Sequence, residues 1–364
     1  MPLPNAEPIG LPAPAWLLQF LLVLTFVLHV VPMSITLGGS LAGLVMEVRG
    51  RLQPDKPFRA LAGRIWGALP SVTAFTITLG VAPLLFVQLI YGKFFYPASI
   101  LTGWSWFAVI PVLIVGYYLL YLQAMGPAGA RWRPWAGLGA ALCFLAIAGI
   151  YVSTISMTTE PESWKALYAA SQRGVHFLVN LPRWLHVLFG ATAMAGGLMA
   201  LFGHLSEERP FSLHARTCGT AWVGLSLLAQ APVSLWYLST FSETARGAVA
   251  LWIPAAAESL AAVGLLLLWV SRTGAARPVM GWSAMGALVA SAALLAVQRH
   301  LVRQALLSPH IDVATDWKLQ PQWDVFTLFA LLLVATIGLL AYLVVRYLRA
   351  LKAQEPGQMS RTAD

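Results

Sequence analysis

The chain has 364 residues, of which 59% are apolar and only 10% charged, against roughly 25% charged in a soluble domain. That supply cannot cover a water-soluble globule of 39.3 kDa, and such hydrophobicity excludes a disordered chain. The net charge of +9 does not indicate nucleic acid, because Lys and Arg sit in short clusters between apolar blocks and not on one basic face.

Nine blocks approach the roughly 20 apolar residues that a spanning helix needs. In chain order they are 14–46, 66–91, 104–124, 135–156, 184–203, 217–240, 249–270, 279–298 and 323–346. The first is too long for the core of a signal peptide and no basic segment precedes it, so it is read as a span. The blocks are apolar all round and lack the alternation of a β-barrel. The expected fold is therefore all-α, a polytopic transmembrane helical bundle, as one domain over 1–350 with a short polar tail at 351–364. Fifteen of the 23 Lys and Arg fall in alternate connections and in the tail. By the positive-inside bias the N-terminus is outside and the C-terminus cytoplasmic, which suits a bacterial inner membrane.

Two outer connections are longer than turns. One, 157–182, holds Glu160-Pro161-Glu162 and a candidate interfacial helix with Trp164 and Tyr168; the other is 299–322. Cys143 and Cys218 stand alone, without CxxC or CxxCH, so a disulfide framework, a zinc site and attached haem c have no support. No HExxH, GxSxG or P-loop occurs.

In a chain with few ionisable groups, those near the spans are candidates for function. His204 and His214 belong to the cytoplasmic side. His29, His176, His186, His300 and His310 fall in the outer half. An imidazole there can bridge helices by hydrogen bonding or ligate a metal or haem, and clustering on one side favours ligation. Arg183 lies three residues before His186, and Arg299 and Arg303 flank His300. Guanidinium groups suit the two carboxylates of haem; the alternative is that they snorkel to lipid phosphates. Glu258, in the middle of span seven, is a costly midplane carboxyl that pairs, stays protonated or serves a proton path. Gln88, Gln230 and Gln298 are the neutral polar residues nearest in character.

The run from Leu18-Gln19-Phe20 to His29, followed by Pro32, Leu37-Gly38 and Met46-Glu47-Val48, resembles the opening helix of subunit I of cytochrome bd quinol oxidases. The spacing His-x8-Gly-x7-Met-Glu is its specific part. Gly80-Val81-Ala82 to Gln88-Leu89-Ile90-Tyr91-Gly92 is similar to that family's second span, and His186 with its following glycines to the fifth. The resemblance covers mainly the first 120 residues and span five, and fades beyond Phe241. It implies a divergent relative in which His29 is the axial ligand of a high-spin haem and His186 a ligand of a low-spin haem b.

The chain departs from that pattern in several places. Phe241 to Val249 replaces a long outer loop, Phe107 to Tyr121 carries no acid, the GRQPW signature is missing, and span seven has no methionine. His300 could take the second ligand position beside His186, and His176 is a further candidate. The expected function is thus a b-type cytochrome subunit with one or two haem b groups. It would pass electrons between membrane quinone and an outer partner such as a periplasmic cytochrome c, beside other membrane subunits in the lipid bilayer. A haem-free anchor or assembly subunit, an oxygen reductase and a transporter are the other readings.

Overall fold

The computed structural model describes residues 10–127, 130–170, 180–248 and 252–354. Its helices are α1 (Ala15–Leu52), α2 (Phe58–Thr102), α3 (Trp104–Met125), α4 (Arg133–Met157), α5 (Trp164–Ala170), α6 (Leu181–Leu205), α7 (Arg209–Ser239), α8 (Glu243–Ala248), α9 (Trp252–Ser271), α10 (Pro278–Leu307) and α11 (Trp323–Gln354). Nine of these, all but α5 and α8, are long and apolar enough to cross a membrane. Among the described residues the extended pairing is a single parallel bridge between Leu11 and Leu319. The protein is an all-helical, multi-pass membrane protein.

Small residues set the helix spacing. On the α1–α6 seam a Cβ on Gly38 would collide with the Ala191 carbonyl. On the α6–α7 seam a Cβ on Gly196 would lie 2.8 Å from the Val223 amide nitrogen. With little hydrophobic drive between helices in lipid, such close backbone approach supplies the packing. Trp66, Leu69, Met46 and Met199 fill the core that α1, α2 and α6 share. Phe94, Phe95, Tyr91 and Leu18 fill another, at the end where α1 begins.

Several helices overrun their apolar blocks. α2 continues past 91, but Tyr91 has non-helical angles (φ −120°, ψ 26°) that divide it. The segment beyond buries Phe94, Phe95, Ala98 and Leu101, so residues expected as a connection cover the bundle instead. α10 runs to Leu307 where the apolar block stops at 298, which makes the first nine residues of the expected 299–322 loop helical. The charges of Arg299 and Arg303 do not end the helix, because aromatic rings from α1 and α2 receive them. α11 passes position 350 to Gln354, and the rest of the expected tail lies outside the described residues. The expected interfacial helix is present as α5, with the Trp164 indole N–H donating to the Met157 carbonyl at 2.9 Å.

Candidate functional site

Three of the outer histidines sit in helices α1, α6 and α10, and their ring nitrogens tell them apart. His29, half-buried on α1, has Nδ1 3.0 Å from the Thr76 carbonyl of α2. A carbonyl can only accept, so Nδ1 carries the proton and donates, and Nε2 keeps its lone pair. That Nε2 takes no hydrogen bond among the described residues. Thr36 fixes the α2 backbone here, its hydroxyl lying 3.3 Å from that of Thr73 and 3.1 Å from that of Thr76. Gly80 lies against the ring: a Cβ there would stand 2.9 Å from Cε1. Metal-ligating histidines are usually oriented this way, with the second N–H given to a carbonyl or carboxylate.

His186 on α6 is also tied to a neighbouring helix, but by a hydroxyl that can either accept from Nδ1 or donate to it. Asn180 caps that helix by accepting from the Arg183 amide at 3.1 Å, which sets His186 two turns inside. Its Nδ1 lies 3.1 Å from the Ser234 hydroxyl of α7, and the Tyr237 ring is 5.9 Å away. Nε2 again takes no hydrogen bond among the described residues. One turn along, Gly190 leaves a gap whose nearest atom to a Cβ would be Gln230 Oε1 at 3.6 Å. That oxygen is itself buried and unpartnered.

His300 faces elsewhere. Together with Leu22, Val23 and Phe26 of α1 and Ala296, Arg299 and Arg303 of its own helix, it lines a small half-open recess. Its Nδ1 is buried without a partner. The structure therefore turns His300 toward α1, whereas His186 is tied to α7. His176 lies outside the described residues.

The arginines gather around these three. The Arg299 guanidinium rests 4.2 Å from the Phe26 ring centroid, and that of Arg303, 5% exposed, lies 5.4 Å from the Tyr91 centroid. Arg183 donates to the Ser156 hydroxyl at 3.1 Å. Arg299 is close enough to Arg303 and Arg183 for the like charges to repel, and Tyr237 stands in the same group. Among the described residues no carboxylate comes within ion-pairing distance of the three. The nearest acid in effect is Glu160, beyond the end of α4. Its side chain is exposed, but partial desolvation lifts the carboxyl above the usual range, and the charge of Arg183 partly offsets this. Arg303 is buried and Arg183 and Arg299 are partly exposed; cations gathered in an apolar setting without a carboxylate partner among the described residues are costly, so the arrangement suits an anionic group.

The remaining described histidines have other partners. His204 has both nitrogens filled, Nε2 by the Ser271 hydroxyl at 3.1 Å and Nδ1 by the Arg277 amide at 3.2 Å. His214 packs edge-on to Phe58 and meets Cys218 Sγ at 3.5 Å. His310 pairs with Glu162 at 3.5 Å, and its carbonyl accepts from Lys93 at 3.1 Å. Glu258 is half-buried on α9 and has no ion-pair partner among the described residues. Gln298 is buried with both amide atoms unpartnered.

Among the described residues no three His, Cys, Asp or Glu side chains converge as a metal-ion site. Histidines standing singly suit a macrocycle, which brings its own four nitrogen ligands and needs one or two from the protein. Thr76, Ser234, Tyr237, Phe26, Tyr91 and Ser156 complete the set. None is marked in the sequence, because each reaches its partner from another helix.

These features describe a multi-pass helical membrane protein whose enclosed histidines and unpaired arginines are drawn from α1, α6 and α10. In fold it is similar to a chain of the bd oxidase from Geobacillus thermodenitrificans, with a TM-score of 0.69 and 14% sequence identity over 94% of this chain and 100% of that one. No family model and no curated protein matches the sequence.

Proposed function

We propose that the protein is a b-type cytochrome subunit of a respiratory membrane complex, with haem b held at His29 and His186. The observation that carries this is the shared state of the two imidazoles. In each, Nδ1 is engaged by a neighbouring helix and Nε2 takes no hydrogen bond among the described residues, with guanidinium groups nearby that have no carboxylate partner among those residues. The fold likeness to a bd oxidase chain supports a respiratory setting.

The donor set fits the group. His29 and His186 offer an imidazole nitrogen apiece, Gly80 lets α2 pack directly against the His29 ring, Gly190 lies one turn from His186 with only Gln230 Oε1 near it, and Arg183, Arg299 and Arg303 match carboxylates in charge and geometry. His300, with its orphaned Nδ1, is a further ligand or a hydrogen-bond donor in the recess. Bound haem supplies a reversible one-electron carrier. The chain fixes each imidazole, excludes water through the apolar bundle and sets the charge around the cofactor, and these tune electron affinity. With the N-terminus outside, as the charge bias argues, the sites lie in the outer half. There they would connect membrane quinone with a partner such as a periplasmic cytochrome c. Glu258 stands apart from this set and is assigned no step.

The test is the dithionite-reduced minus oxidised spectrum of the purified chain, with a pyridine haemochrome count. A b-type band that His186→Ala removes or halves supports the reading. A colourless, well-folded protein from haem-replete cells would sink it and leave the haem-free anchor in front.

A further inference from the structure

The opposite face of the bundle carries a second gathering of cations. Residues 49–64 hold Arg49, Arg51, Lys56, Arg59 and Arg64 against one acid, Asp55. The turn between α1 and α2 is closed tightly: Arg59 Nε donates to the Gly50 carbonyl at 3.0 Å, and a Cβ on Gly50 would stand 2.6 Å from Arg59 Cγ. Closure brings both helix ends around one buried ring. The Arg49 guanidinium lies 5.8 Å from the centroid of Phe58, and the His214 imidazole of α7 meets the same ring edge-on at 4.4 Å. Lys56 is fixed beside it, its carbonyl accepting from the Phe58 amide at 2.8 Å. Arg49 and Lys56 are exposed, and among the described residues neither has a carboxylate within ion-pairing distance. Glu47, the acid of α1, is engaged by Gln123 and Arg51. Apolar surface continues directly from these charges: Val45 and Val48 of α1 are exposed at or just inside the level of Arg49, and Leu213 is exposed beside His214.

We infer that this groove between α1, α2 and α7 binds one acidic phospholipid, its phosphate held by Arg49 and Lys56 and its acyl chains lying on Val45 and Val48. The surface is cationic at the helix ends and apolar beneath them, which matches a ligand with an anionic head and hydrocarbon tails. A soluble acidic protein would meet the charges but not the apolar wall, and neither would a free phosphate. The Phe58 ring gives the guanidinium a fixed seat through a cation–π contact, which distinguishes a site from the diffuse attraction that any basic connection exerts. The positive-inside bias places the groove at the cytoplasmic leaflet, where anionic lipid is found.

The experiment titrates the full-length protein, delipidated in neutral detergent, with dioleoylphosphatidylglycerol, dioleoylphosphatidylcholine or inorganic phosphate. Thermal unfolding and native mass spectrometry give the stabilisation and the lipid retained per chain. Phosphatidylglycerol is expected to raise the unfolding midpoint saturably and to be retained as one molecule, while the other two leave the midpoint unchanged. Arg49→Gln and Lys56→Gln should each weaken the apparent affinity roughly fivefold. Arg272→Gln is the control, because it removes an equal charge from the same side at a place where the guanidinium rests on Trp269; it should leave the affinity as it is. An equal response to phosphatidylcholine overturns the inference, as does an equal response to inorganic phosphate. Equal weakening in all three variants also overturns it, since that is diffuse attraction without a site. The wild-type comparison of the three ligands stands even if a variant fails to fold, and it holds with or without haem in the chain.

Discussion

Replacing Gly80 by alanine tests whether α2 shapes the His29 pocket. The new methyl would stand 2.9 Å from the imidazole Cε1 and 3.0 Å from Nδ1, well inside ordinary contact. The ring must give way by about half an ångström or more to restore a carbon contact of about 3.5 Å. Since Nδ1 is also the atom that donates to Thr76 at 3.0 Å, the same shift stretches that bond. Overpacking costs about 1–3 kcal/mol and a weakened hydrogen bond about 0.5–1.5 kcal/mol. Against this, alanine gains about 1 kcal/mol over glycine in a helix. The net expectation is a loss of about 1–3 kcal/mol, with reduced haem at the His29 site. Gly63→Ala is the control: it lies on the same helix, and a Cβ there meets nothing within 4 Å, so only the propensity gain remains. Thermal unfolding in detergent and haem content per chain give the comparison. If Gly80→Ala matched Gly63→Ala in both, the contact between Gly80 and His29 would have no energetic reality.

Other substitutions separate structural from ligating histidines. His204→Ala removes a ring bonded at both nitrogens and is expected to lower stability by about 1–3 kcal/mol while the b-type spectrum stays; loss of colour there would upset the sorting. Ser234→Ala leaves His186 in place without its orienting partner, and orienting groups of this kind are worth roughly 10–100-fold in affinity. Haem retention during dilution should fall in that range, and unchanged retention would remove Ser234 from the site. Glu160 supplies a pH dependence. Partial desolvation makes its exposed carboxyl hold a proton more tightly in the folded chain. That favours folding at low pH, and the advantage is lost as pH rises through the elevated folded value. Thermal midpoints should thus decline modestly from the ordinary carboxylate range toward neutrality, and Glu160→Gln should flatten that portion; an identical slope in the variant would contradict the raised carboxyl.

The spans were legible because hydrocarbon imposes a length and a composition that any sequence must show, and each of the nine apolar blocks corresponds to a long helix. Their ends were less so. α10 continues through Arg299 and Arg303 because Phe26 and Tyr91 cover those charges, and the rings lie more than 200 residues away in sequence. The histidines and arginines stood out through the scarcity of ionisable groups. Their sorting did not, since the partner of His29 is 47 residues distant and that of His186 is 48. The expected pairing of His186 with His300 illustrates the limit: helix number and depth are readable from one chain, but rotation about the helix axis is not, and rotation decides which histidines face one another.

The unpaired arginines also bear on how such a chain matures. A newly inserted bundle without its ligand would press three like charges together, and their repulsion would act on α6 and α10, the two helices that carry them. An anion bound at that end would relieve the repulsion, so its charge and not only its bulk would contribute to how firmly α6 and α10 pack there.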